Sequence, residues 1–347
     1  MSRPSSCIRI LPAAAPETIV HRFVPAALDS TIGAGNAGPA AVERSTDRQR
    51  EARVITKFDS LFAGHIDMDN VGYAGAAVNE RRFSNDELVT VFDKAQAIAE
   101  LMDRVGYDTF WMAEHHFQHE GYECIPNVLM TAVHLAHLTR RLRFGCGFNI
   151  TPMWHPLRLA EDFATADILT GGRVTFGVGR GYHTREVETF GAPLLDQPAN
   201  RALFEEQVEI ILKALHQESF SHHGPHYTLP PSVPYRGYEL RELTLVPRPL
   251  RRPVECWQPI QGGTGRAIDF MAAHGIKGVV GGGSAEGGAM HRVVLAWQEA
   301  HARLGRHLEL GEGLCFGFHF YIANSREQGI REAGKYYEEN LGLHQNL

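Results

Sequence analysis

A chain of 347 residues with 44% apolar side chains is long enough for one large α/β barrel or two average domains, and it can bury a sizeable core. Its 34 basic and 40 acidic residues leave a net charge of −6, and no run of lysines and arginines is present to follow a nucleic-acid backbone or an anionic membrane, so neither partner is expected. The five cysteines, Cys7, Cys124, Cys146, Cys256 and Cys315, are scattered and never form a C-x-x-C pair; that argues against a disulfide framework and a zinc cage and fits a reducing cytoplasm.

Residues 1–53 are rich in alanine, glycine and proline without a sustained helical or strand period, and they read as a disordered N-terminal extension. The patterned part covers 54–347. KFDSLFAG (57–64) is the first predicted strand. Ser84 and Glu87 form a capping box ahead of Leu88, Val91, Ala95, Ile98, Ala99 and Met102, which share one helical face until Gly106. TFWMAEHH (109–116) is the second strand, PNVLMTAVHLAHLTRR the second helix, and LRFGCGFNI (142–150) the third strand. The third helix, PLRLAEDFATADIL, stops at Gly171 and Gly172 before the fourth strand, RVTFGVG. A long helix with Phe204, Val208, Ile211, Leu212 and Leu215 on one face leads into a turn-rich insert at about 217–252 that is expected to hold a hairpin. Strands at 254–260, 276–282 and 314–323 alternate with helices at about 265–274 and 291–303, and Ser325 with Gln328 caps a last helix.

Seven β/α alternations predict a TIM (β/α)8-type barrel that stops one strand short, with its chemistry at the C-terminal ends of the strands. A doubly wound open sheet also alternates, but the dinucleotide glycine loop that should follow its first strand is missing. On a barrel, three clusters reach one rim: Glu114, His115 and His116 after the second strand, Gly147, Phe148 and Asn149 after the third, and the turn Gly179, Arg180, Gly181 after the fourth. Glycines let backbone approach a ligand, and a guanidinium fork suits phosphate oxygens. G-x-G-R-G matches neither a Walker loop nor G-x-G-x-x-G, so a glycine turn with a solvated arginine is the alternative. The loop GGTGR (262–266) adds Gly263 amides and the Thr264 hydroxyl at a helix start, a second anion-binding feature. His115 and His119 lie four apart in HHFQH, but they leave a strand and no H-E-x-x-H accompanies them, so no metal is expected. His222 and His223 read as a solvated loop tip, and Trp111, Met153, Trp154 and Trp257 as pocket lining or core.

The segments AEHHF (113–117), HPLRLAEDFATADILTGGRVTFGVGRG (155–181) and the FG at 190–191 resemble the bacterial luciferase family of flavin-dependent monooxygenases, over about residues 56–345. The resemblance implies that Arg180 binds the FMN phosphate and that Thr264 touches the same group. It places His115 near the flavin where oxygen reacts, with Glu114 a candidate to orient it. Strand alternation would put 114 and 115 on opposite faces unless the strand has already ended, and Glu114 as a buried partner of a helix end is the competing reading. The Gly147-Phe148 step sits where such proteins often place a non-proline cis peptide under the flavin ring.

The implied activity uses reduced FMN from a separate flavin reductase, with O2, to oxygenate a small organic substrate; a homodimer packed through the first helices is common in such families. A deazaflavin coenzyme moving hydride is the enzymatic alternative. Relatives continue to an eighth strand and final helix where this sequence ends at ENLGLHQNL, so the remaining alternatives are a truncated, inactive member or a subunit completed by another chain.

Overall fold

The computed structural model describes residues 57–260, 265–281 and 288–344. The 1–53 extension expected to be disordered lies outside them. Seven parallel strands curl around one sheet in chain order: β1 (Asp59–Phe62), β2 (Thr109–Met112), β3 (Arg143–Cys146), β5 (Val174–Gly179), β10 (Cys256–Pro259), β11 (Lys277–Val280) and β12 (Leu314–Phe316). A two-residue β4 (Asn149–Ile150) continues the line of β3 and pairs with β5 at Val178 and Gly179. This is the β/α barrel sheet that the alternation predicts. β1 and β12 stand at the two ends of the order among the described residues.

The helices carry the other half of each unit. The Ser84–Glu87 capping box forms as expected, but it opens a one-turn α1 (Asn85–Leu88) before α2 (Thr90–Val105), on which Val91, Ala95, Ala99 and Met102 are buried. Asn127 caps α3 (Val128–Leu138) through the Met130 amide. In α4 (Pro156–Leu169), Leu159, Ala160, Phe163 and Ala164 bury against the fully buried β5, with the Phe163 and Phe176 rings 4.7 Å apart. A strand covered on both faces needs no polar alternation, which is why β5 reads as an apolar run broken by Thr175 alone. After the one-turn α5 (Thr184–Val187), α6 (Gln197–His216) buries the predicted face; α7 (Gly265–His274), α8 (Ala289–Arg303) and α9 (Arg326–His344) complete the series.

The insert holds two short hairpins, β6 (His222–His223) with β7 (Thr228–Leu229) and β8 (Pro234–Tyr235) with β9 (Tyr238–Glu239). His222 is not a solvated tip. Its Nε2 lies 3.0 Å from Glu206 Oε1, and the same carboxylate accepts the backbone amides of His226 and Tyr227. An acceptor sixteen residues away on α6 buries a histidine that local polarity had placed in water.

The strand predicted at 314–323 ends at Phe316. Gly317 still donates to Val280 O at 2.9 Å, but Phe318 and Ile322 are 59% and 84% exposed. A strand with a ladder on one side alone is held less firmly than a central one, and here three residues suffice for it.

The loop after β1 is tied to α9. Arg81 and Glu339 form a buried ion pair, Arg81 Nη2 also donates to Ala76 O at 2.7 Å, and Gly72 N donates to Glu339 Oε2 at 2.9 Å. Burial alone would raise the Glu339 pKa, but the Arg81 bonds, the Gly72 amide and the guanidinium charge outweigh it and hold the carboxyl below 4.5. Glu339→Gln should lower stability at neutral pH by about 3 kcal/mol, because it leaves the Arg81 charge buried without its partner. A lowered folded pKa gives stability that is present above the unfolded value and lost as pH falls through the folded one. Urea midpoints of wild type and variant should therefore converge on acidification below 4.5; a gap constant with pH overturns this assignment.

Candidate active site

β2 ends at Met112, level with Phe62 on one side and Cys146 on the other. Residues 113–123 are thus a loop at the C-terminal rim, where strand alternation no longer applies, and Glu114 and His115 are both buried. Glu114 accepts from Ile150 N at 2.7 Å and from Trp154 Nε1 at 2.8 Å, and it lies 3.2 Å from His116 Nε2. It fastens β4 and the short helical turn that follows, which is the helix-end reading of this residue. The expectation that Glu114 orients His115 is corrected: the carboxylate on the His115 ring is Glu186.

Glu186, on α5, carries no local sequence signature. Its two oxygens lie 3.2 and 3.3 Å from His115 Nδ1, and Oε1 also accepts from His116 N at 3.0 Å and Gln118 Nε2 at 2.6 Å. Next to it, Arg185 makes a two-pronged bond to Glu120 at 2.9 Å on each prong. The turn into α5 depends on Gly181, whose φ of +80° and close approach to Val187 and Ile150 leave no room for a side chain. Burial pushes His115 toward its neutral form, but the Glu186 bond and the charges of Glu123, Glu186 and Glu114 prevail and hold its pKa above the usual value. Burial raises the Glu186 pKa, and the His115 contacts and donated bonds reverse that, leaving it lowered. On the other ring nitrogen, His115 Nε2 lies 3.2 Å from the Tyr182 hydroxyl, which donates to Glu123 Oε1 at 3.0 Å.

The Gly147–Phe148 peptide is cis, as the resemblance leads one to expect. Asn149 is buried and donates from Nδ2 to Gly177 O at 2.8 Å. Gly177 has to lack a side chain, since a Cβ there would lie 2.0 Å from Cys146 O and 2.9 Å from the Phe148 ring. β4 and β5 end together at Ile150 and Gly179, so Arg180 emerges beside the segment that Glu114 holds.

Arg180 is not simply solvated: Nε donates to Asn200 Oδ1 and Nη2 to Gln197 Oε1, both at 2.8 Å. Burial lowers its pKa, and the Arg201 and Arg266 charges add to this against the opposing Glu205. Arg266 opens α7 and bonds Glu205 at 2.6 Å. Three guanidinium groups around one carboxylate leave positive charge in excess, and Arg180, pinned through Nε and Nη2, leaves Nη1 as the donor to offer an anion such as phosphate. The expected partners Gly263 and Thr264 lie outside the described residues. Trp111 and Trp257 pack edge to face at 5.9 Å with their indole nitrogens on Asp59 and Glu255, near the strand starts, whereas Trp154 belongs to the rim through Glu114. Met153 packs beside Ile150 and Val187.

A parallel β/α barrel sheet with an arginine turn and a buried histidine on its C-terminal rim defines a class of enzyme-like scaffold. The sequence model of the luciferase-like monooxygenase family matches residues 67–346, and the chain belongs to that family. It is 28% identical over 163 residues to the oxygenase component of the flavin-dependent trigonelline monooxygenase of Acinetobacter baylyi, covering 47% of this chain and 41% of that one. The chain spans about two fifths of the length of the curated relatives it matches. In fold it is similar to the oxygenating constituent of 3,6-diketocamphane monooxygenase from Pseudomonas putida, solved with FMN (TM-score 0.63, 18% identity, 82% of this chain and 74% of that chain). It is also similar to an F420-dependent secondary alcohol dehydrogenase (TM-score 0.56, 16% identity, 75% and 77%). No helix among the described residues is long and apolar enough to cross a membrane.

Glu186→Ala should cost roughly 2–4 kcal/mol, since it leaves the His116 amide, the Gln118 amide group and the His115 ring buried without their acceptor. Urea unfolding measures this; a loss under about 1 kcal/mol would mean that the carboxylate is not what holds the loop.

Proposed function

We propose that the chain is the oxygenase component of a two-component system that uses reduced FMN and O2 to oxygenate a small organic substrate, with a separate reductase supplying the reduced flavin. The observation that carries the proposal is Arg180, pinned by Asn200 and Gln197 with Arg201 and Arg266 close by, on the rim that also holds His115. Membership of the luciferase-like family and the FMN-bound and oxygenase-component relatives support it. In this reading Arg180, with the Gly179 and Gly181 backbone, holds the phosphate, and Gly263 and Thr264 are its further proposed partners. The cis Gly147–Phe148 step, backed by the buried Asn149, is the proposed seat of the flavin ring. Bound reduced flavin supplies the electrons for oxygen chemistry. His115 holds a proton beside it: Glu186 orients the ring through Nδ1, so that Nε2 is the atom on which a proton is given or taken. Glu114 acts indirectly, by fixing β4 and Trp154. The F420-dependent neighbour keeps hydride transfer with a deazaflavin as the second reading.

Arg180→Ala should weaken FMN binding roughly 10- to 100-fold, corresponding to about 1.4–2.7 kcal/mol, and leave riboflavin, which lacks the phosphate, unaffected. Fluorescence titration of both flavins checks it. Equal FMN affinity in the variant, or an equal loss for riboflavin, removes Arg180 as the phosphate group's partner. Oxygen consumption with reduced FMN, set against hydride transfer with a reduced deazaflavin, separates the two chemistries.

A further inference from the structure

Glu123 and His183 have no task in the flavin reading, yet they bury themselves against His115. We propose that His115, Glu123 and His183 form a binding site for a divalent ion of the zinc class. His115 Nε2 lies 3.4 Å from Glu123 Oε1, His183 Nε2 lies 3.0 Å from Glu123 Oε2, and one ligand atom from each residue falls within 4.8 Å of the others. Two ligands about 2.1 Å from an ion in tetrahedral geometry stand about 3.4 Å apart, close to the two histidine–carboxylate contacts, which reach the two different oxygens of Glu123.

All three side chains are more than nine-tenths buried. Glu123 Oε2 and His183 Nε2 make no hydrogen bond among the described residues, although they are near enough, because they are out of alignment with each other. Buried polar atoms are rarely left so, and a shared cation would satisfy both. The orientation of His115 points the same way. With Nδ1 held by the Glu186 carboxylate at 3.2 Å, Nε2 is the ring nitrogen turned toward Glu123, and an ion bound there would displace the proton that Nε2 otherwise shares with Glu123 and Tyr182. A histidine that ligates a metal almost always has its other ring nitrogen held by such a carboxylate or carbonyl group. The Tyr182 hydroxyl, 3.2 Å from His115 Nε2 and 3.0 Å from Glu123 Oε1, stands beside the site as a further oxygen donor. Two histidines and one carboxylate make a ligand set that keeps a coordination position open. The sequence directs attention to His115 with His119; the fold instead assembles His115 with residues eight and sixty-eight positions further on.

The proposal does not rest on the flavin reading, and an ion at this site takes the same Nε2 to which that reading gives the proton, so the two describe alternative states of His115. Tag-free, full-length protein stripped with a chelator is titrated with zinc chloride by calorimetry and against a chromophoric chelator, and separately loaded with Co2+ for its visible spectrum. The expected result is one tight zinc per chain, weakened at least 100-fold by Glu123→Gln or His183→Ala and roughly 10- to 100-fold by Glu186→Gln. His119→Ala and Arg180→Ala should keep the wild-type affinity, the latter while losing FMN, so that failure of the metal site and failure of the phosphate site read out separately. Bound Co2+ should show the intense visible bands of a low-coordinate nitrogen and oxygen site, a readout on wild type that does not require any variant to fold. No tight zinc, or wild-type affinity in both Glu123→Gln and His183→Ala, overturns the site.

Discussion

The rim is organised around one buried anion, the Glu186 carboxylate. It accepts from a histidine ring, a backbone amide and a glutamine amide, all contributed by the loop after β2, while it is itself carried by the segment after β5. A buried carboxylate without partners would cost several kcal/mol, and with three it joins two loops that the barrel alone would only bring near one another. Arg185 and Glu120 repeat the connection one residue away. The position of His115 is therefore set by a residue far along the chain, and the turn that delivers this residue turns on Gly181.

Two carboxylates at the rim have separate duties. Glu114 is consumed by backbone and indole donors and so acts as a bracket for β4 and Trp154. Glu186 touches an ionisable ring and so biases its protonation as well as its place. Their residue types are the same, and only the partners distinguish them. The orienting role expected for Glu114 passes to Glu186 for that reason.

What could be read from the sequence follows from how local each signal is. Helical faces such as Val91, Ala95, Ala99 and Met102, the Ser84 capping box and the apolar β5 are contiguous patterns, and they appear where the pattern places them. Arg180 stood out because its glycines flank it directly. Glu123, Tyr182, His183 and Glu186 carry no local signature: they meet at the rim because parallel strands β2 and β5 both end there, and a spacing of about seventy residues has no period to detect. His222 is buried for the same reason, its acceptor being on another element. The C-terminal part of the 314–323 run has good strand composition but lies outside the ladder, and composition without a partner does not make a strand.

The rim is also polarised. Around Arg180 the neighbouring charges are Arg201, Arg266 and a single Glu205, whereas around His115 they are Glu114, Glu123 and Glu186. Between them run β4 and the end of β5, with the cis Gly147–Phe148 step and Gly177 keeping side chains out of the way. A ligand with an anionic tail and a neutral, proton-exchanging head has one favourable orientation along such a gradient: tail at the guanidinium groups, head toward the imidazole. Reversing it would set the anion among buried carboxylates, where Coulomb repulsion is least screened. The same gradient draws positive charge to the opposite end, where the carboxylates converge on His115. Orientation is thus written into the charge distribution of the rim, before any contact specific to the rest of the ligand is made.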